Sequence, residues 1–558
     1  MTLYIHLFLI GFFVLWSPFL KADWMNLTGA ETAQNIAEIY VLDDHVEVKL
    51  EVYVDDLDKF EELIPDEWFN KTSVSERPPL EQRMQTFATQ RLQFITEKGV
   101  RLAAKLKLLE PRTRVDRLSP FAGMINPMTR QRVKGAPADK RVLYAEIDYP
   151  FPRTETDQAK TKTLKPEQLT IIPPLGDKGV AIANIGFIAY HQAVPITDFR
   201  YLGQAETLNL DWQDPWYTKF DNKNLIRHHK YPLMLYLYVE PRQVRLESLL
   251  RISDIAKLTG FNVVGSYASV AEKHKLLQEH IKNYYADKAI LQIDGTSFKP
   301  DSIRVEFLHA TLTGLKSVEN SSSADELSLL AGVSQQYFIQ ALPQKIESRW
   351  QYFNQRINRI PVIVTDPVGP LQNLIDKDDP VFGWQNFLKK YKEPIIQPVR
   401  VKTGLSIDIP YLGEKKILNK IPDQKQALSI VDAVLENVRI AFIEKEADHF
   451  SRVLGEIVSQ KDSKFLAKEL AKLFAPKVSG GAVGSVQDFN DVHIINVRKL
   501  DHPNGFSTTI NGSANISAKH WGHIDQRLIK FQLLLDLIEE NKQWRLAELT
   551  VIDIKEVK

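Results

Sequence analysis

The residues best suited to chemistry lie close together near the end of the sequence. His520, His523 and Asp525 fall within the phrase HWGHIDQR. Two neutral imidazoles and a carboxylate are ligands that Zn²⁺, Cu²⁺ and Ni²⁺ accept, so one interpretation of the phrase is a divalent transition-metal site. In an extended strand His523 and Asp525 share one face and His520 the other, whereas in a turn both histidines could converge. His493 or Asp491, on the preceding predicted strand, is the candidate for a third ligand.

The same residues support two other interpretations. In the first, His523 or His493 is a general base that is oriented by Asp525 or Asp491. In the second, the histidines and the aspartate form a hydrogen-bonded sheet edge, with Trp521 packed in the core. A His-x-x-His pair outside a known context is a weak signal, so the sequence favours the structural interpretation.

A second group of residues combines aromatic and acidic side chains on one segment. In LNLDWQDPWYTKF, Trp212, Trp216 and Tyr217 stand next to Asp211 and Asp214. Such a block could form a platform for a sugar or a protein partner. The alternative, which we favour, is a loop held on a β core by its aromatic residues.

Composition excludes several classes of protein. The chain has no cysteine, which removes disulfides, thiolate catalysis, Fe–S clusters and cysteine zinc sites. The 71 basic and 70 acidic side chains nearly cancel, so no net field favours nucleic acid, and no nucleic-acid partner is expected. The glycines of SGGAVG at 479–484 are not followed by Lys-Ser or Lys-Thr, so they are not a phosphate loop. No Gly-x-Ser-x-Gly elbow is present.

Residues 1–22 are predicted to be a signal peptide or an N-terminal anchor. An apolar, aromatic-rich run covers 3–20, and Pro18 and Ala22 suit a helix that breaks before a cleavage site. The weakly charged start and Leu20 at position −3 leave open an uncleaved run that spans a bilayer. We therefore expect an exported, periplasmic protein, with membrane anchoring through this segment as the alternative.

Most elements of the chain are predicted to be strands. From His45 to Val54 apolar and polar residues alternate strictly, which predicts a hairpin with residues 36–42. Further strands are predicted at 87–109, 141–149, 169–173, 180–193, 233–239, 288–294, 301–315, 334–341, 345–353 and 359–364. Helices are predicted at 244–259, 267–285 and 382–391.

The last quarter of the chain has a different element order. Helices at 427–458 and 463–474 precede long strands at 485–500, 506–518, 526–539 and 544–557. This order resembles the SnoaL-like domain of the nuclear-transport-factor superfold. The resemblance implies a pocket between sheet and helices, which is an enzyme site in some members and a ligand-binding or structural cavity in others.

Several phrases extend the resemblance to the whole chain. They are HWGHIDQR, WRLAELTVIDI, LDWQDPWYTKF, LYLYVEPRQVR, SRWQYFNQRINRIP and DDPVFGWQNFL. Together they resemble an uncharacterised family of exported bacterial proteins that end in a SnoaL-like domain. The N-terminal β region of that family is similar to HupE/UreJ-type accessory proteins.

The expected fold is mainly β with α+β: β-sandwich-like domains followed by a C-terminal SnoaL-like α+β cone. After the leader at 1–22, we expect a β domain at 23–165, a second β-rich domain with a helical insertion at 166–325, a β connector at 326–420 and the SnoaL-like domain at 421–558.

The expected function is that of an exported, non-enzymatic binding or accessory protein of the cell envelope, with an envelope protein as partner. Two alternatives stay open. One is a small-ligand binder, or an isomerase- or dehydratase-like enzyme, that uses the SnoaL-like pocket. The other is an envelope metal-handling protein.

Overall fold

The chain is mainly β, as predicted: of the residues that the structure describes, 45% lie in strands and 21% in helices. The computed structural model describes residues 29–68, 77–117, 119, 122–125, 130–155, 161–227, 229–262, 269–288, 290–311, 314–318, 327–403, 405–409, 414–418, 421–459, 463–475, 484–500 and 504–557. The predicted leader lies outside these ranges. Within them, no helix combines the length and the apolar character that a bilayer crossing requires.

The first sandwich covers residues 29–227 and, in the part that the structure describes, consists of two main sheets, a separate two-stranded hairpin at 153–163 and a helix. The larger sheet has the strand order β10-β9-β1-β2-β5-β4, with β11 beside β9, and the smaller has the order β13-β12-β8-β3. Helix α1 spans Leu80–Gln90, and 3₁₀ turns lie at Ala30–Thr32, Val54–Leu63, Asp66–Trp68, Pro215–Tyr217 and Lys223–Leu225. The strands are β1 Asn35–Val41, β2 His45–Tyr53, β3 Gln93–Thr96, β4 Lys105–Thr113, β5 Arg141–Pro150, β6 Arg153–Glu155, β7 Thr161–Thr163, β8 Gln168–Ile172, β9 Ile185–His191, β10 Val194–Pro195, β11 Arg200–Tyr201, β12 Glu206–Asn209 and β13 Lys219–Phe220.

Alternating side chains of the first sandwich form its core. In β2, Val46, Val48 and Leu50 are buried and lie in one cluster with Phe94 and Leu169 of the smaller sheet. Their alternation with polar residues places one face of the larger sheet on this core. The predicted hairpin of β1 and β2 is confirmed by their antiparallel register.

The second sandwich covers residues 233–385. Its larger sheet has the order β19-β18-β20-β15-β14-β22-β23, and its smaller sheet the order β17-β16-β21-β24. Helices α2 Ile252–Thr259 and α3 Val270–Lys288 follow the first hairpin. The strands are β14 Leu233–Glu240, β15 Gln243–Arg251, β16 Leu291–Ile293, β17 Thr296–Phe298, β18 Ser302–Thr311, β19 Gly314–Ser317, β20 Leu330–Phe338, β21 Lys345–Arg349, β22 Arg359–Thr365, β23 Pro370–Asp376 and β24 Val381–Gln385.

A connector hairpin leads to the terminal unit at residues 424–557, where three helices precede four long antiparallel strands in the order β27-β28-β29-β30. The first helix begins with a capping box between Asp423 and Gln426. The connector strands are β25 Leu405–Ile409 and β26 Glu414–Leu418. The terminal elements are α4 Gln424–Ala441, α5 Ala447–Leu454, α6 Ser463–Phe474, β27 Ser485–Lys499, β28 Gly505–His520, β29 His523–Glu540 and β30 Gln543–Val557.

The two sandwiches repeat one topology. In the first, hairpin β1–β2 is extended by antiparallel β5 and β4 on one side and by parallel β9 with antiparallel β10 on the other. In the second, hairpin β14–β15 is extended by antiparallel β20 and β18 and by parallel β22 with antiparallel β23. The smaller sheets match as well, since β3-β8-β12 corresponds to β16-β21-β24. The chain therefore contains a duplicated sandwich.

The sheets cross two of the expected domain boundaries. Strand β9 at 185–191 pairs with β1, so the first sandwich continues past the boundary expected at 165/166. Strand β20 at 330–338 pairs with β15 and β18, so the second sandwich continues past 325/326. Strands β1 and β9 pair in parallel, as do β14 and β22, and parallel pairing requires a long connection between the two strands. Each sandwich therefore extends past the change in composition that suggested its boundary.

Three local predictions are wrong. Residues 244–251 form a strand instead of the first half of a helix, because every residue of β15 is buried and no period is visible. Residues 87–90 belong to helix α1 instead of a strand, and the helix expected at 382–391 is replaced by β24. The helix predicted at 463–474 and the four terminal strands are confirmed.

Gly186 in β9 allows the N-terminal segment to cross the larger sheet of the first sandwich. A Cβ at this position would lie 1.9 Å from the Ala30 carbonyl oxygen. We expect Gly186→Ala to destabilise the protein by about 1–3 kcal/mol in urea unfolding, because backbone must shift to make room. Gly203→Ala is the control, since a Cβ there meets no atom within 4 Å; equal losses in both variants would contradict this assignment.

Candidate functional site

The predicted chemical cluster occupies the tip of the longest hairpin. His520 ends β28, His523 begins β29, and the two residues face each other across the turn. Trp521 and Gly522 have φ values of 46° and 82°, as a two-residue type I′ turn requires. Of the two geometries considered for the sequence, the structure adopts the turn, and it brings the imidazole centroids to 6.3 Å.

This tip is inserted into the junction of the three units. Trp521 is only 1% exposed and lies in one apolar cluster with Tyr236, Leu308 and the core of the first sandwich. The Trp521 amide donates a 2.6 Å hydrogen bond to Glu247 Oε2, and the Gly522 amide donates to the Tyr238 hydroxyl at 2.9 Å. The hairpin therefore fastens the terminal unit to the outer face of the second sandwich.

Gly332 in β20 provides the space for the indole ring. A Cβ on this residue would lie 2.6 Å from the Trp521 ring. Any larger side chain at this position would force the hairpin tip away from the sheet.

A buried ion pair lies beneath the tip. Arg245 Nε is 3.0 Å from Glu247 Oε1, and the Arg245 guanidinium also donates to the Lys519 carbonyl. The same guanidinium stands 4.4 Å from the centroid of the Tyr238 ring. Burial raises the pKa of Glu247, and the attraction of Arg245 offsets this only in part.

The residues predicted to bind a metal are not brought together. His493 lies opposite Asn511, nine residues along β28 from His520, which corresponds to about 30 Å. The proposal of His493 as a third ligand is therefore wrong. The backbone of Asp525 pairs with Ala518, but its side chain is outside what the structure describes. In the described ranges no group of three or more His, Asp or Glu side chains could hold a metal ion.

Of the acid–base pairs expected inside the terminal unit, those with Asp525 involve a side chain outside what the structure describes, and in the pair of His493 with Asp491 both residues are exposed. Asp491 sits at an irregularity of β27 with φ 52°. The face of the sheet that the helices cover is filled by apolar side chains such as Phe506, Ile510 and Leu533. His523 lies at the hairpin tip, where its ring is 6.3 Å from that of His229.

The aromatic block at 211–217 joins the two sandwiches. Asp214 caps the 3₁₀ turn and accepts a 2.8 Å hydrogen bond from Arg251 of the second sandwich. The aromatic rings lie against cationic side chains, with Arg227 at 4.0 Å from the Trp216 ring and Arg356 at 4.4 Å from the Tyr217 ring. These contacts fit the favoured interpretation of a pinned loop.

As partner contacts, the three aromatic residues of this block are poorly placed. Trp216 is 5% exposed, so a partner could not reach it without opening the junction. Trp212 donates through Nε1 to the Pro166 carbonyl at 2.6 Å, and Tyr217 is packed against the first core. Their surface is used inside the molecule.

His191 is buried beside this block. Its Nδ1 is 2.7 Å from the Thr218 hydroxyl, and its ring meets the Trp212 ring edge-on at 4.5 Å. Burial lowers the pKa of His191 to about 4, and the charge of Lys165 acts in the same direction. The imidazole is therefore neutral in the folded protein at neutral pH.

Comparisons with known proteins do not assign the chain to a family. No family model and no curated protein matches the sequence. The crystal structure of the intermembrane space region of the chloroplast protein ARC6 is similar at 16% identity, covering 23% of this chain and 95% of that chain. Its TM-score is 0.18, too low to define the fold. The described residues define the class of the protein, which is a mainly β chain built on a duplicated sandwich.

Removing the indole at the hairpin tip tests its role as a fastener. We expect Trp521→Ala to cost about 3–5 kcal/mol in urea unfolding, because it empties a fully buried site. Trp68→Ala is the matched control, since Trp68 is 50% exposed, and it should change stability by less than about 0.5 kcal/mol. Similar losses in the two variants would refute a special role for Trp521.

His191 gives the junction a pH dependence with a defined sign. Because the folded-state pKa is near 4 and the ordinary value is 6.5, unfolding takes up a proton between these values. The stabilisation is fully present above pH 6.5 and is lost as pH falls toward 4, by about 3 kcal/mol in total. Urea unfolding of wild type and His191→Gln across this window should show a smaller slope in the variant; parallel curves would exclude His191 as the cause.

Proposed function

We propose that the chain is an exported, non-enzymatic accessory protein of the cell envelope that binds another protein through the first sandwich. The observation that carries this proposal is a difference between the outer faces of the two sandwiches. The second copy has its outer face covered by the hairpin tip, while the same face of the first copy carries partly exposed tyrosines.

Aligning the two hairpin turns identifies the corresponding positions. The registers place Tyr40 where the second copy has Tyr238, and Tyr144 where it has Gly332. The pocket that receives Trp521 in the second sandwich is thus filled in the first by a tyrosine of the sheet itself. The two faces are related in position but take different occupants.

We call Tyr40, Tyr144 and Tyr190, with Lys49 and Arg112, the tyrosine face. The rings of Tyr40 and Tyr190 stack at 4.7 Å with 6° between their planes. Lys49 Nζ lies 4.9 Å from the Tyr40 ring, and the Arg112 guanidinium 3.8 Å from the Tyr144 ring. The three tyrosines and Lys49 are partly exposed, and Arg112 is exposed.

The chemistry of the tyrosine face suits a protein partner. Tyrosine and arginine are enriched where binding energy concentrates at interfaces, because they add rigid area with a polar end. Contacts within the face hold the rings in place, so little side-chain entropy is lost on binding. By analogy with the second sandwich, the favoured occupant is a β-hairpin of the partner. Because Tyr144 closes the space that Gly332 leaves for Trp521, this hairpin would pack flat on the tyrosine rings instead of inserting an aromatic residue between strands.

A crosslinking experiment in cells tests the proposal. We expect p-benzoylphenylalanine in place of Tyr40 to give a discrete adduct with one envelope protein after irradiation. Mass spectrometry should map the partner end of the adduct to a hairpin, and Lys49→Glu should reduce its yield because a cation of the face is reversed.

The matched control is the same probe in place of Phe387, which is 78% exposed and remote from the tyrosine face. The proposal fails if position 40 gives no adduct, or if both positions give the same set. A discrete adduct with a cytosolic protein would refute the envelope location but would still support the tyrosine face as a binding surface.

A further inference from the structure

A cavity of about 520 Å³ lies between the second sandwich and the terminal unit. One wall comes from the β14–β15 turn and the neighbouring strands, and the opposite wall from the end of α4, the start of β27 and the end of β28. Its volume is in the range of roughly 300–1,000 Å³ typical of small-molecule sites. It lies beside the core of the terminal unit, whose residues Phe442 and Val486 form part of its wall, and it is separate from the tyrosine face.

The lining of this cavity is strongly cationic. Glu240 is the one carboxylate among its described lining residues. The whole chain balances 71 basic against 70 acidic side chains, so composition does not explain this accumulation. The six cationic residues are Arg245, Arg304, Lys392, Arg439, Lys445 and Lys519.

Neighbouring carboxylates neutralise only part of this charge. In the ranges that the structure describes, Lys445 and Lys519 have no carboxylate oxygen within 4 Å. Each of the three arginines is paired with a carboxylate. Glu240 balances one of the three lysines, so two positive charges remain in excess. The paired arginines are Arg245 with Glu247 at 3.0 Å, Arg304 with Glu306 at 3.0 Å and Arg439 with Glu436 at 2.6 Å.

The protonation equilibria reflect the same excess. Burial lowers the pKa of Lys445, Glu240 counteracts it, and repulsion from Arg245 and Lys519 lowers it further. Burial would raise the pKa of Glu240, but Lys445, Arg245 and Lys519 together hold it below its ordinary value. A bound anion would relieve the repulsion between these cations.

Apolar surface lines the same cavity. Ile443, just after α4, contributes partly exposed apolar surface, as do Pro241, Tyr391 and Pro394. A ligand that filled the cavity would therefore meet cations and apolar side chains together. A simple inorganic ion would leave this apolar surface unused.

The geometry points to a binding site for an organic phosphate monoester in this cavity. A phosphate monoester carries a charge of about −1.5 to −2 at pH 7, which matches the excess of two cations. Its phosphate would lie between Lys445 and Lys519, and its organic part against Ile443 and Tyr391. The phosphate could belong to a soluble molecule or to a lipid headgroup, since the chemistry at the lysines is the same.

Calorimetric titration of the full chain with 1-naphthyl phosphate tests the soluble arm. We expect saturable binding that weakens with added salt, and at least about ten-fold weaker binding of neutral 1-naphthol, because the charged hydrogen bonds are lost. Lys445→Met and Lys519→Met should each weaken the phosphate by about ten-fold or more. Lys445→Arg should retain most of the affinity.

The matched control is Lys98→Met, which removes an exposed lysine from the first sandwich and should change the affinity by less than about two-fold. Because a variant could fail to fold, the wild-type unfolding temperature gives a second readout: naphthyl phosphate should raise it and naphthol should not. Equal effects of the two compounds, or equal losses in Lys445→Met and Lys98→Met, overturn the proposal.

Co-sedimentation with phosphatidylcholine vesicles, with and without phosphatidic acid, distinguishes the lipid arm. Binding only to phosphatidic acid vesicles that Lys445→Met abolishes supports a lipid source. Binding that Lys445→Met and Lys98→Met reduce equally reflects general surface attraction and counts against the cavity. Absence of binding in both arms refutes the site.

Discussion

The insertion of Trp521 over Gly332 is the contact on which the arrangement of the chain depends. One indole ring, held by two backbone hydrogen bonds at its turn, closes the space between two sandwiches and the terminal unit. The surrounding charges of Arg245 and Glu247 are tolerable because they pair with each other and with the hairpin backbone. The position of the cationic cavity follows from this contact, since Arg245 and Lys519 belong to both.

The two sandwiches share one strand topology but present different outer faces. A glycine at position 332 made room for an intramolecular partner, while Tyr144 at the corresponding position closed that space. Leu249, which pairs with Gly332 in the second copy, corresponds to Glu51 in the first, where the buried carboxylate is paired with Arg117. The topology that the two sandwiches share is visible in which side chains are buried, more than in matching residue types.

The sequence was informative where one face of an element meets water. The alternation in β2 and the amphipathic pattern of α4 predicted both elements, because each has a single buried side, although α4 ends at Ala441 and not at the expected 458. Strand β15 has two buried sides, so its pattern was misread as helical, which concealed that Arg245 and Glu247 share a face. The sequence identified the histidines of the hairpin tip. It could not show that this tip packs against residues that are far away in the sequence. The tyrosine face and the cavity carry no local motif at all.

The hairpin fastener also imposes an order on biosynthesis. Both sandwiches are translated long before residues 520–523. The outer face of the second sandwich therefore stays uncovered while the rest of the chain is being made. During that interval Tyr236, Leu249 and Leu308 present an apolar surface that other chains could capture. A nascent or truncated chain would depend on chaperones at this face, and completion of the last hairpin would release it from them.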